Sequence, residues 1–196
     1  PPRVPTQPPT PTPDFEKVLA ARDHVEAADK LRDEKSFQES LAEYDQAILL
    51  DPKSVTAYNG RGVAYLQLGQ LERAVQDYDT AIGLESQYFE AYNNRGVAYL
   101  RLGQTERAIE DYTQAILYYL DYADAYLNRG TAYYNLGDLE RAVKDFGDAI
   151  ALDPELEVAH AGRALALTKL GRDGEAQQDL ERAVEHWDGI IAHTKH

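Results

Sequence analysis

A period of 34 residues organises most of this sequence and constrains its fold more than any other feature. Its clearest members are three small residues at offsets of twelve and seven, namely Gly62, Ala74, Ala81, then Gly96, Ala108, Ala115, then Gly130, Ala142, Ala149. Small side chains at fixed offsets are needed where two helices cross too closely for a larger one. Weaker copies extend the repeat on both sides, at Ala28, Ser40, Ala47 and at Ala164, Ala176, Ala183. The pattern therefore predicts a solenoid of stacked units.

Each unit is predicted to be a pair of helices joined by a tight turn. Apolar and small residues recur at three- and four-residue spacing on both sides of a break that contains Gly69, Gly103 or Gly137. Glycine supplies the left-handed backbone that such a turn requires. The predicted fold class is all-α, an α-solenoid of five helix-turn-helix units at residues 21–54, 55–88, 89–122, 123–156 and 157–190.

A proline-rich head and a short tail lie outside the repeat. Seven of the nine prolines fall within residues 1–13, which are predicted to form an extended linker because proline excludes helix and sheet ladder. The helical array is predicted to span residues 14–190, with Asp14 as the N-cap of its first helix. Residues 191–196 are left as a C-terminal tail. Because the chain begins with Pro1 rather than Met, any signal peptide or lipid-bearing cysteine would lie upstream. Pro/Thr-rich linkers often separate an exported domain from its anchor, which favours an exported or membrane-anchored extracytoplasmic location over a cytoplasmic one.

The net charge of −14 restricts the partners of this chain. Nucleic acid and anionic membrane surfaces would be repelled, so the expected partner is a neutral or basic protein or peptide. No apolar run approaches the roughly 20 residues that span a bilayer, so membrane contact is expected only through an upstream anchor. The absence of cysteine excludes disulfides, thiolate metal sites and a cysteine nucleophile.

The repeat resembles the tetratricopeptide repeat family over residues 21–190. The resemblance rests on residues that recur in register, represented in the second unit by Ala57-Tyr58-Asn59, Arg61-Gly62, Ala64-Tyr65, Leu68-Gly69, Glu72-Arg73-Ala74, Asp77-Tyr78 and Ala81-Ile82. It implies a right-handed superhelix whose first helices line a concave face. Departures are local: Ser86, Leu120 and Asp188 replace the family's closing proline, and His24 replaces the opening aromatic residue of unit one.

An arginine and an aspartate recur together in four of the five units. They are Arg61, Arg95, Arg129 and Arg163 in the first helices, and Asp77, Asp111, Asp145 and Asp179 in the second helices. Unit one has Ala27 and Glu43 at these positions, so the two residue types appear and disappear together. This pattern predicts a partly buried, bidentate ion pair within each hairpin, with a structural role rather than a ligand-binding one.

The concave face implied by the resemblance provides the candidate binding site. Its groove residues are Asn59, Val63, Leu66, Asn93, Asn94, Val97, Leu100, Arg101, Asn128, Thr131, Tyr134 and Asn135. Asparagine amides can donate to and accept from a peptide main chain, while the apolar residues bury its side chains. In the alternative interpretation, some asparagines satisfy groups of neighbouring turns and some apolar residues belong to the inter-helix core.

Unit three closes with Tyr119 and Leu120, where units one and four have aspartate and proline. Because an inter-unit turn faces solvent, these two residues are a candidate second interface, for self-association or for a partner subunit. In the alternative interpretation, Tyr119 simply lies along the surface. Trp187, at the equivalent place in unit five, is a candidate cover for the open end of the stack.

No residue pattern indicates catalysis, a cofactor or a metal site. The carboxylates recur with the repeat at solvent-facing positions, and the loose spacing of His193 and His196 falls in the tail. The sequence thus predicts a non-enzymatic scaffold that binds an extended peptide or partner segment in the concave groove. The alternative is a structural assembly subunit of a membrane- or surface-associated complex, tethered through residues 1–13 and able to form homo-oligomers.

Overall fold

The computed structural model describes residues 15–182, and the regular elements within that range are all α-helices. They are α1 Phe15–Asp33, α2 Phe37–Leu50, α3 Val55–Gln67, α4 Leu71–Leu84, α5 Phe89–Arg101, α6 Thr105–Tyr118, α7 Ala123–Leu136, α8 Leu139–Leu152, α9 Glu157–Lys169 and the helical residues 173–182, here α10. The predicted all-α solenoid class is confirmed, and the helices are consistent with five repeat units. None of the helices in the described range is both long and apolar enough to cross a membrane.

Several predictions fall on residues that the structure does not describe. They concern the linker 1–13, the N-cap Asp14, the small residue Ala183, the candidate cover Trp187, and the tail 191–196 with His193 and His196. These predictions remain expectations from the sequence.

The chain divides into two compact bodies, Pro1–Leu84 and Glu85–His196. In the first body α1 packs against α2, α2 against α3, and α3 against α4. In the second body α5 packs against α6, α6 against α7, α7 against α8, and α8 against α9. The first helices of neighbouring units also contact each other, α1 with α3, α5 with α7, and α7 with α9. Within each body, then, successive helix hairpins stack side by side.

A buried aromatic ring explains why glycine recurs where the two helices of a hairpin cross. A Cβ atom on Gly62 would lie 2.6 Å from the ring of Tyr78, and one on Gly96 would lie 2.6 Å from the ring of Tyr112. Both tyrosines are fully buried, so neither ring has room to retreat. The close packing of a glycine against an aromatic ring thus explains why glycine recurs at this position of the sequence repeat.

A left-handed residue ends the first helix of each hairpin. Gly137 has φ of 80°, and Lys35 takes the equivalent place in unit one with φ of 62°. The amide of Asp138 donates to the carbonyl of Tyr133 at 2.9 Å, and that of Gly137 donates to the carbonyl of Tyr134 at 3.0 Å. This pair of hydrogen bonds is the Schellman arrangement, which satisfies the last carbonyls of the helix and reverses the chain.

Candidate functional site

The repeated arginine and aspartate contact each other within every hairpin that carries them. Nε and Nη2 of Arg129 donate to the two carboxylate oxygens of Asp145 at 2.7 and 2.9 Å. The same two-point geometry occurs in all four pairs: Arg61–Asp77, Arg95–Asp111, Arg129–Asp145 and Arg163–Asp179. The four aspartates are buried. Each pair therefore joins the first helix of a unit to the second, and its carboxylate is inaccessible to a ligand.

The surroundings of these buried carboxylates differ between units. Burial raises the pKa of Asp77 despite its arginine, and the like charge of Asp45 adds to the rise. Burial also acts to raise the pKa of Asp179, but hydrogen bonds from its arginine and from His160 outweigh this effect and hold the pKa below its ordinary value. His160 Nδ1 lies 2.9 Å from Asp179 Oδ1. The ion pair of unit five is thus held by one more donor, because histidine stands where the central units have tyrosine.

The candidate groove residues of the first body lie on α3. Asn59 and Val63 are half-buried, whereas Leu66 is only 5% exposed and belongs to the core. Leu66 therefore offers almost no surface to a ligand.

The asparagines between α5 and α7 hydrogen-bond to other side chains of the protein. Asn93 is buried, its amide group donates to the Tyr122 hydroxyl at 3.3 Å, and its carbonyl oxygen accepts from Asn128 at 2.9 Å. Burial raises the pKa of Tyr122 to about 12, so its hydroxyl is neutral at physiological pH. Asn93 thus joins α5 to the following hairpin and follows the alternative interpretation. Asn94 and Asn128 are half-buried.

The remaining candidates of α5 differ in exposure. Val97 and Leu100 are half-buried, and Arg101 at the end of the helix is exposed.

Three candidates on α7 open onto a pocket of about 300 Å³ between α7 and α9. Its walls are Thr131, Tyr134 and Asn135 of α7, Phe146 of α8, and Val158, Ala161, Gly162 and Leu165 of α9. Val158 is 64% exposed and Leu165 is 56% exposed, so the α9 wall presents two large apolar side chains to solvent. The Lys169 ammonium lies 4.2 Å from the centroid of the Tyr134 ring and places one cation at this wall.

The groove residues predicted from the sequence do not include those of α9 that line this pocket. Val158, Ala161 and Leu165 occupy the second, fifth and ninth places of unit five, which are groove positions of the same register. Extending that register from units two to four into unit five would have identified them. Gly162 allows α9 to approach the Phe146 ring closely at the floor of the pocket, because a Cβ atom on this residue would lie 2.7 Å from that ring.

Tyr119 and Leu120 form an exposed apolar segment at the end of α6. Tyr119 is 45% exposed and Leu120 is 66% exposed. The ring of Tyr119 lies 4.7 Å from that of Phe89, between centroids. Tyr119 is thus packed on one face and open to solvent on the other.

The described residues provide no metal centre. Among residues 15–182 no three histidine or carboxylate side chains are arranged to hold a metal ion. The close histidine–carboxylate contacts are His24 Nδ1 to Glu43 at 2.6 Å and His160 to Asp179, and each joins the two helices of a single hairpin. Glu43 and Asp179 occupy the place in the repeat that the aspartates of the arginine–aspartate pairs occupy, which indicates a structural role.

Known families and solved structures resemble this chain along most of its length. A family model described as TPR repeat matches residues 28–69 and 64–103, and one described as Tetratricopeptide repeat matches residues 93–157. The crystal structure of MamA protein is 25% identical over 85% of this chain and 91% of that chain, with a TM-score of 0.72. YrrB, a TPR protein with an unusual peptide-binding site, is 22% identical over 83% of this chain and 84% of its own, with a TM-score of 0.65. The pilF protein of Pseudomonas aeruginosa is 16% identical over 87% and 78%, with a TM-score of 0.82. No curated protein sequence matches significantly.

Proposed function

Because the chain belongs to the tetratricopeptide repeat family and has the fold of a protein-interaction scaffold, we propose that it binds an extended peptide or partner segment on its first helices. Members of the family are generally non-enzymatic scaffolds. The observation that carries the proposal is the apolar pocket between α7 and α9.

The pocket has the size and chemistry to receive an apolar side chain. Its volume of about 300 Å³ is at the lower end of the range for ligand pockets. Val158 and Leu165 would be covered on binding, and full burial of one valine or leucine side chain contributes about 1.5–3 kcal/mol. The exposed amide of Asn135 stands beside them and can pair with a peptide main chain. YrrB supports the proposal at the level of the fold, since an array of this kind can carry a peptide-binding site.

The partner is proposed to be neutral or basic. The net charge of −14 disfavours approach of an acidic chain as a whole. Asp124 in the first turn of α7 and Glu157 in the first turn of α9 place carboxylates on the two helices that form the pocket. Lys169 beside Tyr134 offsets part of this charge, so the preference is expected to be moderate.

Replacing Val158 by aspartate tests the pocket. We expect about tenfold or greater loss of affinity for peptides selected from a random library by the wild-type chain, because the new carboxylate would be desolvated by the bound side chain. The melting temperature should change little, because Val158 is already 64% exposed. Fluorescence anisotropy with labelled peptides and a thermal scan measure the two effects.

Leu49→Asp is the matched control for that experiment. Leu49 is 72% exposed on α2, is absent from the pocket wall, and receives the same change of charge. Its variant should bind the selected peptides as the wild type does. If Val158→Asp also bound them normally, the pocket would have no part in recognition.

The exposed segment 117–120 favours a second candidate function, assembly of a larger complex. Leu117 is 64% exposed and Tyr118 is 37% exposed, so with Tyr119 and Leu120 the segment presents four consecutive large apolar side chains to solvent. In this candidate the chain is a structural subunit of a membrane- or surface-associated complex, tethered through residues 1–13, and the segment binds a second copy.

Replacing Leu120 by aspartate separates the two candidate functions. We expect self-association, measured by sedimentation equilibrium, to weaken by about tenfold or more because a charge would enter an apolar contact. Affinity for the selected peptides should not change. Leu49→Asp is again the control, and a wild type that stays monomeric at its highest soluble concentration would contradict self-association through this segment.

A further inference from the structure

The repeated arginine also forms a third hydrogen bond, to the second helix of the preceding unit. Arg61 Nη1 donates to the Asp45 carboxylate at 2.6 Å, and Arg129 Nη1 donates to the Thr113 hydroxyl at 3.1 Å. In both cases the acceptor precedes the arginine by 16 residues. One guanidinium thus binds the aspartate of its own hairpin through Nε and Nη2 and an acceptor of the preceding hairpin through Nη1.

Within the described part of the chain Arg163 has no third partner of this kind, because the equivalent residue is Gly147. Among residues 15–182 its hydrogen bonds are those of Nε and Nη2 to Asp179, at 2.7 and 2.6 Å. The side chain of Arg163 is 29% exposed, compared with 15% for Arg129.

A cavity of about 330 Å³ occupies the place of that acceptor, between α8, α9 and α10. Gly147 and Arg163 both line it. A Cβ atom on Gly147 would lie 3.5 Å from Arg163 Nη1, so an oxygen one or two bonds further would reach hydrogen-bonding distance. Gln178 of α10 adds an exposed amide to the wall. The cavity thus has the room and the donors for an acceptor group from outside the chain.

We propose that this cavity binds the carboxylate of an aspartate or glutamate side chain of a protein partner. The precedent is within this chain, since Arg61 holds the carboxylates of Asp77 and Asp45 at the same time. A carboxylate at Arg163 would complete the same arrangement with a group supplied by the partner. The site is separate from the α7/α9 pocket and does not depend on peptide binding there.

The charges on the cavity wall are compatible with an incoming carboxylate. Each described carboxylate of the wall is already hydrogen-bonded to a cation: Asp148 to Lys144, Asp179 to Arg163, and Glu175 to Arg172. Their charges are therefore compensated locally. The guanidinium N–H groups of Arg163 Nη1 then attract an anion at short range, although the chain as a whole is acidic.

The test is a titration of the full chain, labelled with nitrogen-15, with the capped tripeptide acetyl-Gly-Asp-Gly-amide. We expect saturable shifts of the Gly147 and Arg163 amide signals, and affinity about tenfold weaker for the Asn analogue, which has no charge. Acetyl-Gly-Gly-Gly with a free C-terminal carboxylate tests whether the cavity binds a C-terminal carboxylate rather than a side-chain carboxylate. Tighter binding of that peptide, equal binding of the Asp and Asn peptides, or unchanged Gly147 and Arg163 signals would overturn the proposal.

Three variants at Gly147 supply the structural control, and all of them keep Arg163 and its buried pair. Gly147→Asp should supply the acceptor within the chain, so it should abolish binding of the Asp peptide and melt at a higher temperature than Gly147→Asn. Gly147→Ala adds a methyl group but no hydrogen-bond acceptor, so this variant should still bind the Asp peptide. Binding by Gly147→Asp equal to that of Gly147→Ala would also overturn the proposal.

Discussion

Replacing Gly96 by valine is expected to destabilise the second body by about 3 kcal/mol or more. The new Cβ atom alone would lie 2.6 Å from the Tyr112 ring, and valine adds two further methyl groups there. Tyr112 is fully buried, so the ring cannot swing into solvent and the helices must separate instead. The better helix propensity of valine than of glycine offsets only a few tenths of a kcal/mol. Urea denaturation followed by circular dichroism measures the loss.

Gly83→Val is the control for this prediction. Gly83 lies in α4, and a Cβ atom on it would have no atom within 4 Å. Valine there should change the free energy of unfolding by less than about 0.5 kcal/mol. Adding Tyr112→Leu to Gly96→Val should recover part of the loss, because the smaller side chain leaves room for the new methyl groups. Equal effects of Gly83→Val and Gly96→Val would show that the close approach does not limit stability.

Replacing Asp145 by alanine is expected to cost about 3–5 kcal/mol. Asp145 accepts two hydrogen bonds from Arg129, and the side chains are 4% and 15% exposed. Removing the carboxylate leaves a largely buried guanidinium without its main acceptor, which is more costly than losing an exposed ion pair. A double-mutant cycle with Arg129→Leu should give a coupling energy of about 1–3 kcal/mol. Losses that are additive within about 0.5 kcal/mol would contradict a direct interaction.

An exposed ion pair on the same helix is the control. Lys144 Nζ lies 2.6 Å from Asp148, but their side chains are 72% and 39% exposed. Asp148→Ala should therefore cost less than about 1 kcal/mol, although the distance is as short as in the buried pair. The comparison separates the effect of burial from the effect of distance.

The helices, their pairing and the partners of the buried arginines could be predicted from the sequence. Arg129 and Asp145 are separated by 16 residues, and three other pairs keep that interval. Contacts within one hairpin recur with the repeat, because every unit closes in the same way. Two residues that recur together at a fixed interval in several units can therefore be predicted from the sequence to contact each other.

The roles of single groove residues could not be predicted in this way. Asn93 and Asn128 are both predicted groove residues, yet Asn128 donates to Asn93 at 2.9 Å and Asn93 is buried. This bond joins two successive hairpins rather than the two helices of one hairpin, so it depends on how α5 packs against α7. The cavity beside Arg163 likewise depends on tertiary packing, which places Gly147 next to the Nη1 atom of that arginine.

The sequence by itself determined the repeat, the helix hairpins and the fold class, because these follow from periodic local patterns and from the small residues that close packing requires. Only the tertiary structure decided which first-helix side chains stay accessible, and where a cavity remains. Accessibility is set by the neighbouring hairpin, and one residue such as Gly147 or Val158 changes it without disturbing the period.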